Sequence, residues 1–360
     1  MGTGNISAPS YAALLNAAYP QIKAADSAIK VVAFAGTPLS TQDPDSEASI
    51  PSVLALAHQS MDVLSEHAYD QLTLPDTHFP TQLSGVRAAM KAGGVGDKPI
   101  WHSEQGLTGN DDGYGYPGIS EADIAQLYIR DVVTAAANGG EKFFWFSQDV
   151  SIDYDFSIFY GAYTPRPRLM ALNAAASLIE GCTYKASFSQ TPNQTFAHLF
   201  EGPERSVAVV WNSNTAYNLS LAVTSAEAGA IQVFDTMGNE MMEALQPVSD
   251  TGSLTVTSGA ERPIFVSADR SKVSSLADAL KTMVVTPLLS VSVDGWERVP
   301  GTKNITVTLT AREDSVSILE YRLTHINASR RSSLLRLHYA HRSSQYGWRA
   351  WRPPCSGVPC

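Results

Sequence analysis

The hydrophobic period of this chain changes once, near residue 182, and that change limits the possible architecture more than any single motif. In residues 10–25 the apolar positions Tyr11, Leu14, Leu15, Ala18, Ile22 and Ala25 recur at helical spacing, with Ser10 as the expected N-cap and Pro20 as an expected kink. Residues 29–35 follow as a β-branched apolar run closed by Gly36. The alternation then repeats as helix 51–61, strand 62–69, helix 81–92 and strand 99–104. A helix opened by the capping-box pattern Ser120-Glu121-Ala122-Asp123, strand 142–146 and helix 166–180, stopped by Gly181, complete it. Strands that are apolar on both sides and separated by helices pair in parallel through crossovers. Residues 1–182 are therefore expected to be βα units. Beyond them the runs are short and alternating, at 195–200, 206–211, 217–223, 230–235, 253–257 and 263–267, with turns at Gly202-Pro203 and Met237-Gly238-Asn239. This spacing predicts an antiparallel β-sandwich over 183–270. A helix-like bridge at 268–283 leads into a partial β module within 271–322, with strands expected at 288–293 and 304–310, and residues 323–360 form a basic tail.

Within the βα part, Lys98-Pro99-Ile100-Trp101-His102-Ser103-Glu104-Gln105-Gly106 reads as a buried strand that delivers a carboxylate to a rim, just before the Gly-rich stretch holding Gly109, Gly113 and Gly115. A charged residue at the carboxyl end of a parallel strand is where α/β folds place reacting groups. From this stretch alone, Glu104 is equally compatible with a loop acid that solvates a turn.

Charge divides the chain in a second way. All 35 acidic residues lie at or before Glu320, and the last forty residues carry seven of the 25 Lys+Arg, all arginine, so 1–320 sums to 18 − 35 = −17 and the end to +7. Such a tail can bind nucleic acid or an anionic membrane, but its Arg-Ser-His-Trp-Pro-Cys composition after an ordinary acidic sequence reads more simply as an end foreign to the fold, expected to pack on nothing. No run reaches the ~18 apolar residues of a membrane span, and no basic start precedes an apolar stretch in the first thirty residues, so neither a membrane partner nor an export signal is expected. Three cysteines, Cys182, Cys355 and Cys360, give no disulfide framework and no zinc spacing.

Three strand ends carry a resemblance to a family. Ser65-Glu66-His67-Ala68-Tyr69 resembles the sixth strand of clan A glycoside hydrolases, His102-Ser103-Glu104-Gln105-Gly106 the seventh, and Phe144-Trp145-Phe146 the eighth. The segment from Tyr160-Gly161-Ala162-Tyr163 to Arg166-Pro167-Arg168, before a helix ending Glu180-Gly181, is similar to the approach to the last barrel helix. The resemblance spans residues 8–270. It implies the C-terminal half of a (β/α)8 TIM barrel followed by an antiparallel β-sandwich domain, and retaining hydrolysis of O-glycosides in a poly- or oligosaccharide. Full-length members are often secreted.

By this resemblance Glu104 is the nucleophile. Residues at alternate positions share a strand face, so His67 and Tyr69 are placed to support it, Trp145 to offer an apolar ring to a sugar, and Asp149 in the following loop to bind hydroxyls. His67 is equally placed to bond a sugar hydroxyl; core hydrogen bonding is the alternative role for His67 and Tyr69, solvation for Asp149 and core packing for Trp145, and Trp101 and Phe144 are expected to pack against helices. Retaining hydrolysis also needs an acid/base carboxyl ~5–5.5 Å from the nucleophile. The family places it after an asparagine at the end of the fourth strand, and the only Asn-Glu pair here, Asn239-Glu240, falls in a turn of the β domain. The acid/base is thus expected to lie outside this chain, which would make it an inactive fragment. No metal or organic cofactor is implied, because carboxylates serve the oxocarbenium-like transition state. The rival expectation is a non-catalytic carbohydrate-binding or scaffold protein that works through the β-sandwich.

Overall fold

The computed structural model describes residues 7–34, 50–67, 75–107, 119–146, 156–161, 164–190, 194–214, 216–241, 245–246, 253–273, 275–288, 291–298, 305–311, 320–323 and 337–340. The chain divides into two units, Met1–Leu288 and Leu289–Cys360.

In the first unit the early apolar runs line up as one parallel sheet. After helix α1 (Ala8–Ala25) come β1 (Val32–Ala33), α2 (Ile50–Ala57), β2 (Val63–Glu66), α3 (Pro75–Ala92), β3 (Ile100–Gln105), α4 (Glu121–Ala137) and β4 (Gly140–Trp145). The sheet order is β1-β2-β3-β4, every pair parallel, with Val32 opposite Val63, Leu64 opposite Ile100 and Trp101 opposite Lys142. A two-stranded ribbon, β5 (Phe159–Tyr160) and β6 (Thr164–Pro165), precedes α5 (Pro167–Ile179).

Local chemistry accounts for the helix ends. Ser7, not Ser10, caps α1: Ser7 has extended backbone angles and its side chain accepts from the Ser10 N–H at 3.4 Å, which puts Pro9 in the first turn where its missing N–H is not needed. Pro20 is accommodated inside this helix. The capping box of α4 is present as expected, Ser120 and Asp123 each satisfying the other's backbone N–H. Gly181 ends α5 at φ +73°, a left-handed conformation that favours glycine. Helix α3 starts six residues earlier than the periodicity suggests, because Pro75 fits the first helical position and Pro80 is still within its early turns. One apolar layer joins α1–α3 to one face of the sheet, where Leu15, Val53, Leu54, Leu83, Val86 and Met90 pack with Leu64 and Ile100.

The all-β part begins with a strand the sequence reading missed, β7 (Thr183–Ser187). It continues through β8 (Thr195–Glu201), β9 (Arg205–Asn212), β10 (Tyr217–Ala222), the single turn α6 (Ser225–Ala228), β11 (Ile231–Phe234), β12 (Leu245–Gln246), β13 (Ser253–Ser258) and β14 (Ile264–Asp269). It does not stop at residue 270. Helix α7 (Leu276–Lys281) and β15 (Val284–Pro287) belong to it, with β15 antiparallel to β10 and Leu276, Leu280, Met283 and Val285 in the same core. The bridge and the start of a new module expected there are instead part of this domain, because Val284-Val285 has an open strand edge to pair with. The two sheets, β12-β13-β10-β15 and β11-β14-β9-β8-β7, enclose one apolar core.

Strand β9 explains how the two parts of this unit adhere. Ala208 and Val210 face the core between the sheets, whereas Val207, Val209 and Trp211 face Ala125, Ile129, Val133, Ala171 and Ala175 of α4 and α5. A strand covered on both faces is continuously apolar, and Ser206 to Asn212 is buried throughout. His198 on β8 shares the helix-facing side, its ring stacked 5.3 Å from Trp211, and burial holds its pKa down to about 4. Neither ring nitrogen meets a hydrogen-bond partner among the described residues. An unsatisfied buried polar group costs roughly 1–3 kcal/mol, so His198→Phe, which keeps the stack, is expected to raise stability by about 1 kcal/mol. A urea midpoint that falls would contradict this.

In the second unit β16 (Val291–Arg298) and β17 (Ile305–Ala311) form an antiparallel pair with an irregularity between Val293 and Gly295. β18 (Glu320–Leu323) pairs with β19 (Leu337–Ala340), Tyr321 opposite Tyr339. The tail expected to pack on nothing therefore contributes at least one strand. Leu337 to Ala340 includes Tyr339, a good strand former, and the net basic charge around it obscured that. The remainder of 323–360 lies outside the described residues.

Candidate active site

The site is assembled by the parity of two neighbouring strands. Glu66 stands opposite His102 in the register of β2 and β3. Leu64, Glu66, Ile100 and His102 thus point to the helix-covered side, and Ser65, His67, Trp101 and Ser103 to the other. Glu104 would follow His102 to the helix side by strict alternation. The register of β3 with β4 skips from His102 to Gln105, and this irregularity turns Glu104 towards β2. Its carboxylate lies 3.5 Å from His67 Nδ1, with Glu104 about one third exposed and His67 mostly buried. Gln105, beyond the irregularity, points to α4 and donates to Asp131 at 3.4 Å.

His67 is also 3.1 Å through Nε2 from Ser103 Oγ, and Ser103 Oγ contacts Ser65 Oγ. Burial lowers the His67 pKa, opposed by the Glu104 charge. His67 is neutral near pH 7, so its contact with Glu104 orients the carboxylate without neutralising it. His67 thus lies beside Glu104; Tyr69 and Asp149 lie outside the described residues.

Trp145 is not beside Glu104. It lies on the helix side, stacked on Tyr128 of α4 at 3.7 Å and 6°, with Phe143 at 4.7 Å. Its ring fills the layer between sheet and helix, which corrects the expected sugar platform to the packing role. The opposite parity carries Phe144, 45% exposed, near Trp101 at 6.0 Å, with Lys142 Nζ 4.4 Å from the Trp101 ring. These two aromatics do not pack on helices, as expected of them, but on the face that a closed barrel turns inward. The signal that would have separated Phe144 from Trp145 is a one-residue difference in register.

On the helix side Glu66 and His102 form a buried pair, Glu66 Oε1 being 3.3 Å from His102 Nδ1. Burial pushes the Glu66 carboxyl up to about 7 and that of Asp131 up to about 8. A carboxyl raised in the folded state contributes stability that is complete below its unfolded value, near 4.5 for Glu66 and 3.8 for Asp131, and is lost as pH rises through the folded value. His198, depressed to about 4, contributes stability lost only as pH falls below 6.5. Two carboxyls against one histidine make the net slope fall between pH 5 and 8. The melting temperature is expected to be several degrees lower at pH 8.5 than at pH 5.5, with Glu66→Gln flattening the dependence; a rising profile would refute the assignment.

No protein-family model matches the chain, and no curated protein matches it. Solved structures do. A family 39 glycoside hydrolase from Bacteroides cellulosilyticus is 17% identical with a TM-score of 0.56, over 72% of this chain and 55% of its own. AbfB, a family 51 α-L-arabinofuranosidase from Bifidobacterium longum, is 16% identical with a TM-score of 0.51, over 73% of this chain and 63% of its own. A glucosidase from Croceicoccus marinus is 14% identical with a TM-score of 0.51, over 74% and 65%. The chain thus shares the fold of TIM-barrel glycoside hydrolases that carry a β domain, its parallel sheet fits part of such a barrel, and it spans less than two thirds of their lengths. Among the described residues, no helix is long and apolar enough to cross a membrane.

Proposed function

We propose that this chain carries the nucleophile side of a retaining O-glycoside hydrolase acting on a poly- or oligosaccharide. Glu104 attacks the anomeric carbon, His67 orients it, and Tyr69 is a second support. The observation that carries the reading is the position of Glu104: at the carboxyl end of a parallel strand, one third exposed, and turned by a strand irregularity to within 3.5 Å of His67. An ionised, oriented carboxylate is what the glycosylation step consumes, forming an ester to the sugar as the leaving oxygen departs.

The second carboxyl, which protonates the leaving oxygen, is assigned to a part of the barrel that this sequence does not supply. Trp101 and Phe144, on the face a barrel closes over, support that assignment. The carbohydrate-binding alternative has no comparable support, since among the described residues none of the exposed large hydrophobics of the β domain is aromatic. Positioning by the other strand ends is worth ~7–11 kcal/mol of the barrier. The chain by itself is therefore expected to leave activated aryl glycosides intact, with or without azide. Release of aryl alcohol dependent on Glu104 from the chain alone would contradict the partial-site reading.

A further inference from the structure

The same rim holds a second constellation. Ser103 Oγ lies 3.1 Å from His67 Nε2, and the other ring nitrogen, Nδ1, lies 3.5 Å from the Glu104 carboxylate. A hydroxyl within hydrogen-bond reach of one imidazole nitrogen and a carboxylate at the other is the arrangement that activates serine for acyl transfer, and the base–carboxylate distance is often loose before substrate binds.

The contacts admit one direction of proton donation that suits acyl transfer. Ser65 is buried and its hydroxyl touches Ser103 Oγ. With Ser65 donating to Ser103, the Ser103 proton points to His67 Nε2. The Nδ1–H of the neutral ring then points to Glu104. In that arrangement the donors run one way and end on the Glu104 carboxylate, and the ring tautomer leaves Nε2 free to accept. Ser103 is half-buried.

We propose that Ser103, His67 and Glu104 act as nucleophile, general base and orienting carboxylate in the hydrolysis of small carboxylic esters. Ser103 Oγ bonds to the acyl carbon as its proton passes to His67 Nε2. The ester C–O bond breaks, and the departing alkoxide takes that proton from Nε2. Water then attacks the acyl-serine, giving a proton to Nε2, and Ser103 Oγ leaves and recovers it, so that ester and water become acid and alcohol. Ser65 donates to Ser103 Oγ and disperses the charge that builds there when the acyl-serine breaks down. This activity uses side chains at the ends of β2 and β3, and is independent of the glycosidase reading: one puts an acyl group on Ser103, the other a sugar on Glu104.

The test uses the chain as it is, with p-nitrophenyl acetate as substrate and diisopropyl fluorophosphate as a serine-directed label read by peptide mass spectrometry. The expected result is saturable release of p-nitrophenol, a phosphoryl adduct on Ser103, a loss of about 100-fold in Ser103→Ala and of at least about tenfold in Glu104→Gln. Circular dichroism checks that the variants keep the fold. Labelling of the unaltered chain decides the matter if Ser103→Ala does not fold. Turnover undiminished in a folded Ser103→Ala, or no adduct on Ser103, would overturn the proposal.

Discussion

Asp76→Ala is expected to destabilise the first unit by about 3–5 kcal/mol, the largest single effect among the described side chains. Asp76, in the first turn of α3, accepts from Arg130 Nε at 3.3 Å and again from Nη2, from Trp211 Nε1 at 3.1 Å and from Ser213 Oγ at 3.1 Å. Arg130 is wholly buried and Asp76 nearly so, with side-chain exposures of 0% and 4%. Removing the carboxylate leaves a guanidinium and an indole N–H in a dry layer with no other side-chain acceptor among the described residues, and the cost is dominated by that orphaned cation rather than by the lost attraction. Because the acceptor joins α3, α4 and β9, the loss also loosens the seam between the βα sheet and the β domain. The urea midpoint should fall with an unchanged slope, Asp76→Asn should fall less since one acceptor oxygen remains, and a midpoint shift under 1 kcal/mol for the alanine variant would show that the ion pair is bathed in water.

Neither Asp76 nor its partners stood out in the sequence. A single aspartate between Pro75 and Thr77 looks like a turn residue, and its partners lie 54, 135 and 137 positions away. What was legible rests on local rules. The capping box at Ser120, the αL glycine at Gly181 and the parallel order of four strands each follow from nearest-neighbour chemistry. Glu104 was singled out for the same reason, as a charge at the end of an apolar run. The failures share a cause as well. Trp145 and Phe144 differ by one position, and a strand register set by a neighbour decides which faces α4. Val284-Val285 was read away from the β domain because the edge of β10 that it joins is a tertiary fact. The cluster of Ser65, Ser103, His67 and Glu104 depends on the irregularity between His102 and Gln105, and no residue type there announces it.

The second large effect concerns Glu104 in a completed barrel. If the βα units that the family resemblance places upstream are joined in frame, hydrolysis of glycosides should appear, and Glu104→Gln should remove it by roughly 10⁴-fold or more, even for substrates with activated leaving groups. A better leaving group rescues the loss of an acid but not of a nucleophile. Glu66→Gln is the matched control. Glu66 is one residue from His67 but buried on the helix side against His102, so its replacement should alter the pH dependence of stability and leave the turnover of activated glycosides within a few-fold. Equal loss in both variants would mean that the two carboxyls do not lie on opposite faces as described.

The most direct test of the account is covalent. The completed protein and the present chain are each incubated with a 2-deoxy-2-fluoro aryl glycoside carrying an activated leaving group, which slows deglycosylation more than attack and so traps the intermediate, and their peptides are weighed. The account predicts one fluorosugar on the peptide containing Glu104 in the completed protein and none on the present chain. A fluorosugar on any other residue of an active, completed protein would contradict it.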